Sequence, residues 1–177
     1  MKTTTTSLIA TIVTISWLGT AALSPTVLAA NDLKASTKSS SLTLEAAQVA
    51  ANAALKTCQQ RGAMVAVTVV DRSGLVLVTL RDTLAGMHTL DAATRKAWTA
   101  VSFKNSTTEL VKLTAYNQAN SGIRNLPNVA MIGGGLLIQE AGSIIGGIGV
   151  SGAPGGDMDD DCAKAGVAAI QDAIDLN

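Results

Sequence analysis

Two stretches of β-type sequence separated by only a four-residue turn constrain this chain more than any other feature. Met64 to Val70 is rich in β-branched residues, with Val65, Val67 and Val69 alternating against Ala66 and Thr68. Asp71-Arg72-Ser73-Gly74 is a turn sequence, and Leu75 to Leu80 is a second apolar run. Parallel neighbours need a crossover of about a dozen residues or more, so runs joined this closely form an antiparallel hairpin. The signature returns further on. Val129 to Ile132, Leu136 to Gln139 and Ile144 to Val150 read as strands, with Gly133-Gly134-Gly135 after the first and the turn Glu140-Ala141-Gly142-Ser143 before the last.

Helical periodicity fills the intervals. Leu44, Ala47, Ala51, Ala54, Leu55 and Cys58 fall at helical spacing within Leu42 to Arg61, with Thr43 as N-cap, Glu45 in the first turn and Gly62 as the stop. Leu90 to Phe103 is a second helix. Ser106 or Thr107 caps a short third one through about Tyr116, and Asn117 to Pro127 is loop-like. Asp157 to Asp175 closes the chain as one helix with Ala163, Val167, Ile170 and Ile174 inward. The order is α-ββ-αα-βββ-α. Blocks of strands and blocks of helices predict a single α+β domain, with a largely antiparallel sheet of about five strands flanked by helices.

Residues 1–30 read as a secretory signal peptide, apart from the fold. Lys2 is the only charge before Asp32, Leu8 to Leu18 is apolar, and small residues end the segment at Ala29-Ala30. The apolar run is short for a transmembrane span, and no cysteine stands at the junction for a lipid anchor. Cleavage after Ala29 or Ala30 would leave a periplasmic or extracellular protein without stable membrane insertion. Residues 31–41 form a polar, flexible lead-in to a domain at 42–177. In an oxidising compartment Cys58 and Cys162 could pair, and their spacing leaves both a bridge and two separate buried thiols open.

Charge excludes one class of partner. Thirteen Lys and Arg balance thirteen Asp and Glu, so nothing in the composition suggests the basic face of a nucleic-acid binder. One Phe, one Tyr and two Trp leave a core of small and aliphatic side chains.

Several motifs dissolve on inspection. Gly147-Ile148-Gly149-Val150-Ser151-Gly152 matches G-x-G-x-x-G, but the helix after it ends the chain and no second parallel strand follows. Tight packing of a strand on a helix accounts for it better. Asp157, Asp159, Asp160 and Asp161 lack the glycine and glutamate of an EF-hand loop and fit the positive end of the last helix dipole. Gly133-Gly134-Gly135 lacks the Lys-Ser/Thr of a phosphate-binding loop. Three consecutive glycines fit close backbone approach, either to a ligand or to a packed neighbour. His88 is the only histidine, too few for a histidine-rich zinc site but enough for one axial bond to haem iron. Met87 and Met131 are candidate thioether ligands, though packing is the better account of each.

Taken together, Val69 to Leu75, Arg81-Asp82, Ala85-Gly86-Met87-His88-Thr89, Arg95 to Ala100, Gly133 to Gly135 and Ile148 to Gly152 resemble the GlcG/HbpS family of haem-binding, so-called haem-degrading domains. The resemblance runs from about Leu42 to Leu176. It implies a PAS/profilin-like antiparallel sheet flanked by helices, assembly into homo-oligomers, and haem as the cofactor. Two positions depart from the pattern: Met87 and Leu137 stand where relatives often have proline.

The iron ligand differs among members of that family, and His88, as the lone histidine, is the expected ligand here, with Met87 beside it and Gly133, Gly134 and Gly135 lining the pocket. Lys96 and Thr99, three apart on one helix face, are expected to serve the same ligand, Lys96 by pairing with a propionate. The leading expectation is an exported haem or tetrapyrrole binder for storage, transport or sensing. An enzyme degrading haem, or acting on a small organic acid through Lys96 and Asp71, is the first alternative. A non-catalytic accessory partner of a membrane sensor is the second.

Overall fold

The structure is a computed structural model and describes residues 34–176. The expected signal peptide, residues 1–30, and the start of the lead-in lie outside the described residues. The chain divides into two units, Met1–Thr37 and Lys38–Asn177. Of the first, residues 34–37 are described; they are exposed and without regular structure.

The second unit begins with α1 (Leu44–Gln60), capped by the Thr43 hydroxyl, which accepts from Ala46 N at 3.2 Å. Strands β1 (Ala66–Asp71) and β2 (Val76–Arg81) follow, then α2 (His88–Phe103) and α3 (Thr107–Leu113). A 3-10 turn at Ser121–Asn125 leads to β3 (Gly135–Glu140) and β4 (Ser143–Ser151). The chain closes with α4 (Gly156–Ala168) and α5 (Gln171–Asp175). The sheet runs β2-β1-β4-β3, and every pairing is antiparallel. Both short-turn hairpins are therefore present. Ala141 and Gly142, at φ 45° and 80°, make the left-handed two-residue turn that suits a twisted hairpin.

The sheet has four strands among the described residues, against the expected five. Val129–Ile132 is the segment that forms none. Asn128 turns left-handed at φ 66°, and Ala130 N donates to Thr99 Oγ1 at 3.0 Å. This short apolar run is thus tied to α2, where its backbone finds a partner outside the sheet. The final helix is also divided. Ile170 N bonds to Val167 O at 3.2 Å, a tightened 3-10-type turn that separates α4 from α5 while Ile170 and Ile174 both remain in the core.

Period-two alternation buries both faces of the sheet. Val65, Val67 and Val69, with Ile148 and Val150, pack under α1 and α4. Val70 faces the other way, against Ala97 and Val101 of α2. Gly147 and Gly149 lie under α2. A Cβ on Gly149 would come within 2.0 Å of Ala93 O, so only glycine admits the helix at that distance. This accounts for the G-x-G-x-x-G sequence as strand-to-helix packing.

The α1–α4 pair is built from equally small residues. Gly166 sits against Ala50 O and Ala54 Cβ, and one turn further along Cys58 and Cys162 form a disulfide. Arg61 and Asp161 extend the seam with a 3.0 Å ion pair. The bridge closes a loop of 104 residues in sequence separation. On chain-entropy grounds a cross-link of that span stabilises by about 4–5 kcal/mol. No described helix is long and apolar enough to cross a membrane.

Candidate functional site

The loop into α2 is held from both sides, and that fixes His88. Asp82 accepts from Gln59 of α1 and from Leu84 N. The Gly86 carbonyl accepts from Thr89 N at 3.0 Å and Thr89 Oγ1 at 2.6 Å. His88 therefore begins α2 with its imidazole exposed. A Cβ on Gly86 would approach ring atoms Cε1 and Nδ1 to 2.8 and 2.9 Å, so the ring rests directly over the glycine. Met87 is 89% exposed, and Leu84 and Leu90 are also exposed nearby in sequence. The imidazole is thus exposed, with exposed apolar residues on both sides of it in sequence.

Lys96 and Thr99 lie further along the same helix, but they point inward. Lys96 is 2% exposed. Its Nζ lies 2.7 Å from Asp159 Oδ2 and 2.9 Å from Val150 O. Asp159 Oδ1 accepts from Ala153 N at 3.1 Å. Burial pushes the Asp159 carboxyl above its usual range, against the hydrogen bond and charge of Lys96, which pull it down. The expected salt link from Lys96 to a ligand propionate thus gives way to an internal ion pair joining α2 to α4. Thr99 is fully buried and spends its hydroxyl on Ala130 N.

The three glycines close over this ion pair. Gly134 N donates to Asp160 Oδ1 at 2.6 Å, and Gly134 O accepts from Val150 N at 2.8 Å. Gly135 N donates to Thr107 Oγ1 at 2.9 Å. A Cβ on Gly134 would fall within 2.5 Å of Val150 O, and one on Gly133 within 2.8 Å of Gly156 O. Close packing of backbone on backbone accounts for all three residues. The second oxygen of Asp160 accepts from Thr108 Oγ1.

The structure therefore brings Lys96, Gly134 and Gly135 together in one buried polar cluster. His88 lies outside it, about 12 Å away along the helix axis by its eight-residue separation. Asp71 is elsewhere again. Its carboxylate accepts from Ser73 N and Leu75 N at 2.7 and 3.0 Å and shapes the β1–β2 turn. Lys96 and Asp71 share no site. Sequence reasoning missed Asp159, Asp160, Thr107 and Thr108. The aspartates open α4 as a dipole argument expects, yet two of them turn into the core. The available signal for the burial of Lys96 is that it shares a helix face with Ala93, Ala97 and Ala100, whereas its partner on α4 leaves no mark in the periodicity.

Among the described residues no three or more His, Cys, Asp and Glu side chains gather to hold a metal ion. An apolar groove of about 500 Å³ runs beside β3, lined by Leu136, Leu137, Val167 and Ala168 among others, and His88 is not part of it.

Comparison with known proteins places this architecture. A family model described as "Haem degrading protein HbpS-like" matches residues 42–168. The corrinoid adenosyltransferase PduO of Salmonella typhimurium is 36% identical over 120 residues, which are 67% of this chain and 35% of that protein. The chain thus spans about a third of the length of the curated relatives it matches. Among solved structures, a double mutant of HbpS from Streptomyces reticuli is 42% identical with a TM-score of 0.72, over 84% of this chain and 98% of that one. A complex of PduOC with haem is 32% identical with a TM-score of 0.69, over 74% of this chain and 96% of that one. By sequence and by architecture, the chain belongs to the HbpS-like haem-degrading protein family.

Proposed function

We propose that this protein binds haem or a related tetrapyrrole at the exposed start of α2, with His88 as the axial ligand. The observation that carries the reading is the His88 ring itself, solvent-open and seated over Gly86 where a Cβ would collide with it. Leu84, Met87 and Leu90 supply apolar surface for the edge of a macrocycle. Haem iron needs only one or two protein ligands, so a lone histidine suffices. Haem, once bound, supplies the iron redox chemistry and this chain supplies the ligand and the surface. The relative solved with haem supports the same class of cofactor.

Lys96 is committed to Asp159, so another cation must meet the propionates. Arg95 is exposed, seven residues beyond His88 and hence on the same helix face, about 10 Å along the axis. Its present partner, Asp91 at 2.8 Å, makes an exposed i,i+4 pair of the kind worth well under about 1 kcal/mol, readily exchanged for a ligand. With so few aromatic residues, a second subunit is the natural source of the opposite wall. This makes a homo-oligomer part of the proposal.

Export through residues 1–30 to the periplasm or beyond is part of the same reading. The Cys58–Cys162 disulfide supports it, because such bridges persist in oxidising compartments. Haem titration of the oxidised protein tests the proposal: saturable growth of a Soret band is expected, and its absence would sink it. The family's description names haem degradation. Loss of the Soret band with reductant and oxygen, with release of iron and a bilin, would place the protein there; a stable band favours storage, transport or sensing.

A further inference from the structure

The end of α2 opposite His88 meets a second cavity. Residues 38–40, the β1–β2 turn, the C-cap of α2 and the β3–β4 turn enclose about 580 Å³. Its wall carries three cations, Lys38, Arg72 and Lys104, and one carboxylate, Glu140. None of the three cations takes part in an ion pair among the described residues, where Arg61, Arg95, Lys96, Lys112 and Lys164 supply the positive partners. Three cations against one carboxylate leave two positive charges without a counter-charge on this wall, in a chain whose charges balance as a whole. Arg72 is also held in place, its Nη1 donating to Ser39 Oγ at 2.7 Å.

Backbone conformation singles out the same wall. Lys104 ends α2 at φ 55°, in the left-handed conformation that glycine usually supplies at a helix end. A side chain there costs about 1–2 kcal/mol. Ala141, also on the wall, is left-handed at φ 45° as its hairpin turn requires, which leaves Lys104 as the strained position without a hairpin turn to account for it. Of the three described non-glycine residues with positive φ, two line this cavity. Strain kept at a residue that also brings an unpaired charge is the pattern of a binding position.

We propose that this cavity binds a small organic dianion, a phosphate ester or a dicarboxylate, through Lys38, Arg72 and Lys104. The hydroxyls of Ser40 and Ser143 add hydrogen-bond donors on the wall. Glu140 limits the favourable charge to about two and disfavours more highly charged anions. Sixteen residues of α2 separate this site from His88, about 24 Å along the axis, so the two sites take different molecules. The inference therefore stands or falls apart from the haem reading.

The test is calorimetric titration of the oxidised protein with phenyl phosphate and with succinate, at constant ionic strength. Saturable binding of either is expected, and which one binds identifies the ligand class. Arg72→Gln should weaken it about tenfold, the loss of one charge-assisted contact. Lys104→Gly should weaken it similarly while preserving the fold, because glycine relieves the left-handed strain. Lys112→Gln, outside the cavity lining and paired with Glu109, should bind as the wild type does. Absence of saturable binding to both probes would overturn the proposal. So would wild-type affinity in Arg72→Gln and Lys104→Gly, or equal weakening in Lys112→Gln, which would mark general surface charge.

Discussion

Lys96 Nζ and Asp159 Oδ2 lie 2.7 Å apart with side chains only 2% and 4% exposed, an ion pair inside the protein between α2 and α4. Removing one partner strands the other charge in the core. Asp159→Asn or Lys96→Met alone should each cost about 3–5 kcal/mol, the usual penalty for an orphaned buried charge. The double variant Lys96→Met with Asp159→Leu should cost much less than the two single costs added. Urea unfolding of the three variants measures this, and strict additivity would contradict the coupling.

The same pair sets a pH dependence of unusual sign for a carboxylate. Burial holds the native Asp159 carboxyl above its ordinary value of 3.8. Its stabilising contribution is therefore fully present below 3.8 and declines as pH rises through the native value. Asp161 and Asp82 behave oppositely. Arg61 lowers the first, with Lys164 assisting, and the Gln59 hydrogen bond lowers the second. Their contributions are present above 3.8 and are lost as pH falls through their native values. Carboxyl carbon-13 titration should place Asp159 above 3.8 and both others below it; the reverse order would refute the assignment.

Reduction should expose how far the small α1–α4 seam depends on its bridge. The Cys58→Ala, Cys162→Ala variant should lose about 4–5 kcal/mol relative to the oxidised protein, from the long loop the disulfide closes. Chemical unfolding with and without reductant checks it. A loss that appears in the variant but not on reduction would point to packing at the two sites instead.

Much of this fold is legible in the sequence, because period-two runs and short turns leave little choice. The β1–β2 and β3–β4 hairpins, the caps at Thr43 and Ser106, and the loop-to-helix position of His88 all follow from local chemistry. What was not legible depends on partners distant in the chain. Val129–Ile132 is a loop because of Thr99, and Lys96 is buried because of Asp159, 63 residues away. Three consecutive glycines signal close backbone approach, but the neighbours approached, Val150, Asp160 and Thr107, belong to three other segments. The candidate site was half visible in the same way: His88 could be placed, while its cationic companion on the exposed face is Arg95 in our proposal, in place of Lys96.

Glycine substitutions separate conformational strain from collision. Gly149→Ala would bring a Cβ within 2.0 Å of Ala93 O and should destabilise by about 3 kcal/mol or more, beyond ordinary overpacking. Gly62→Ala meets no atom within 4 Å and bears only the cost of φ 76°, about 1 kcal/mol. Thermal unfolding of the two variants should rank them clearly, and comparable losses would contradict the helix-on-strand account of Gly149.

The central claim is that His88 is the iron ligand, and a haem titration of His88→Ala beside the wild type tests it most directly. The substitution removes an exposed side chain, so the fold should persist and circular dichroism should be unchanged. We predict that the variant loses the histidine-ligated Soret spectrum and binds haem at least about tenfold more weakly, as loss of more than about 1.4 kcal/mol of binding energy requires. The same Soret maximum and the same affinity in both proteins would remove His88 from the site.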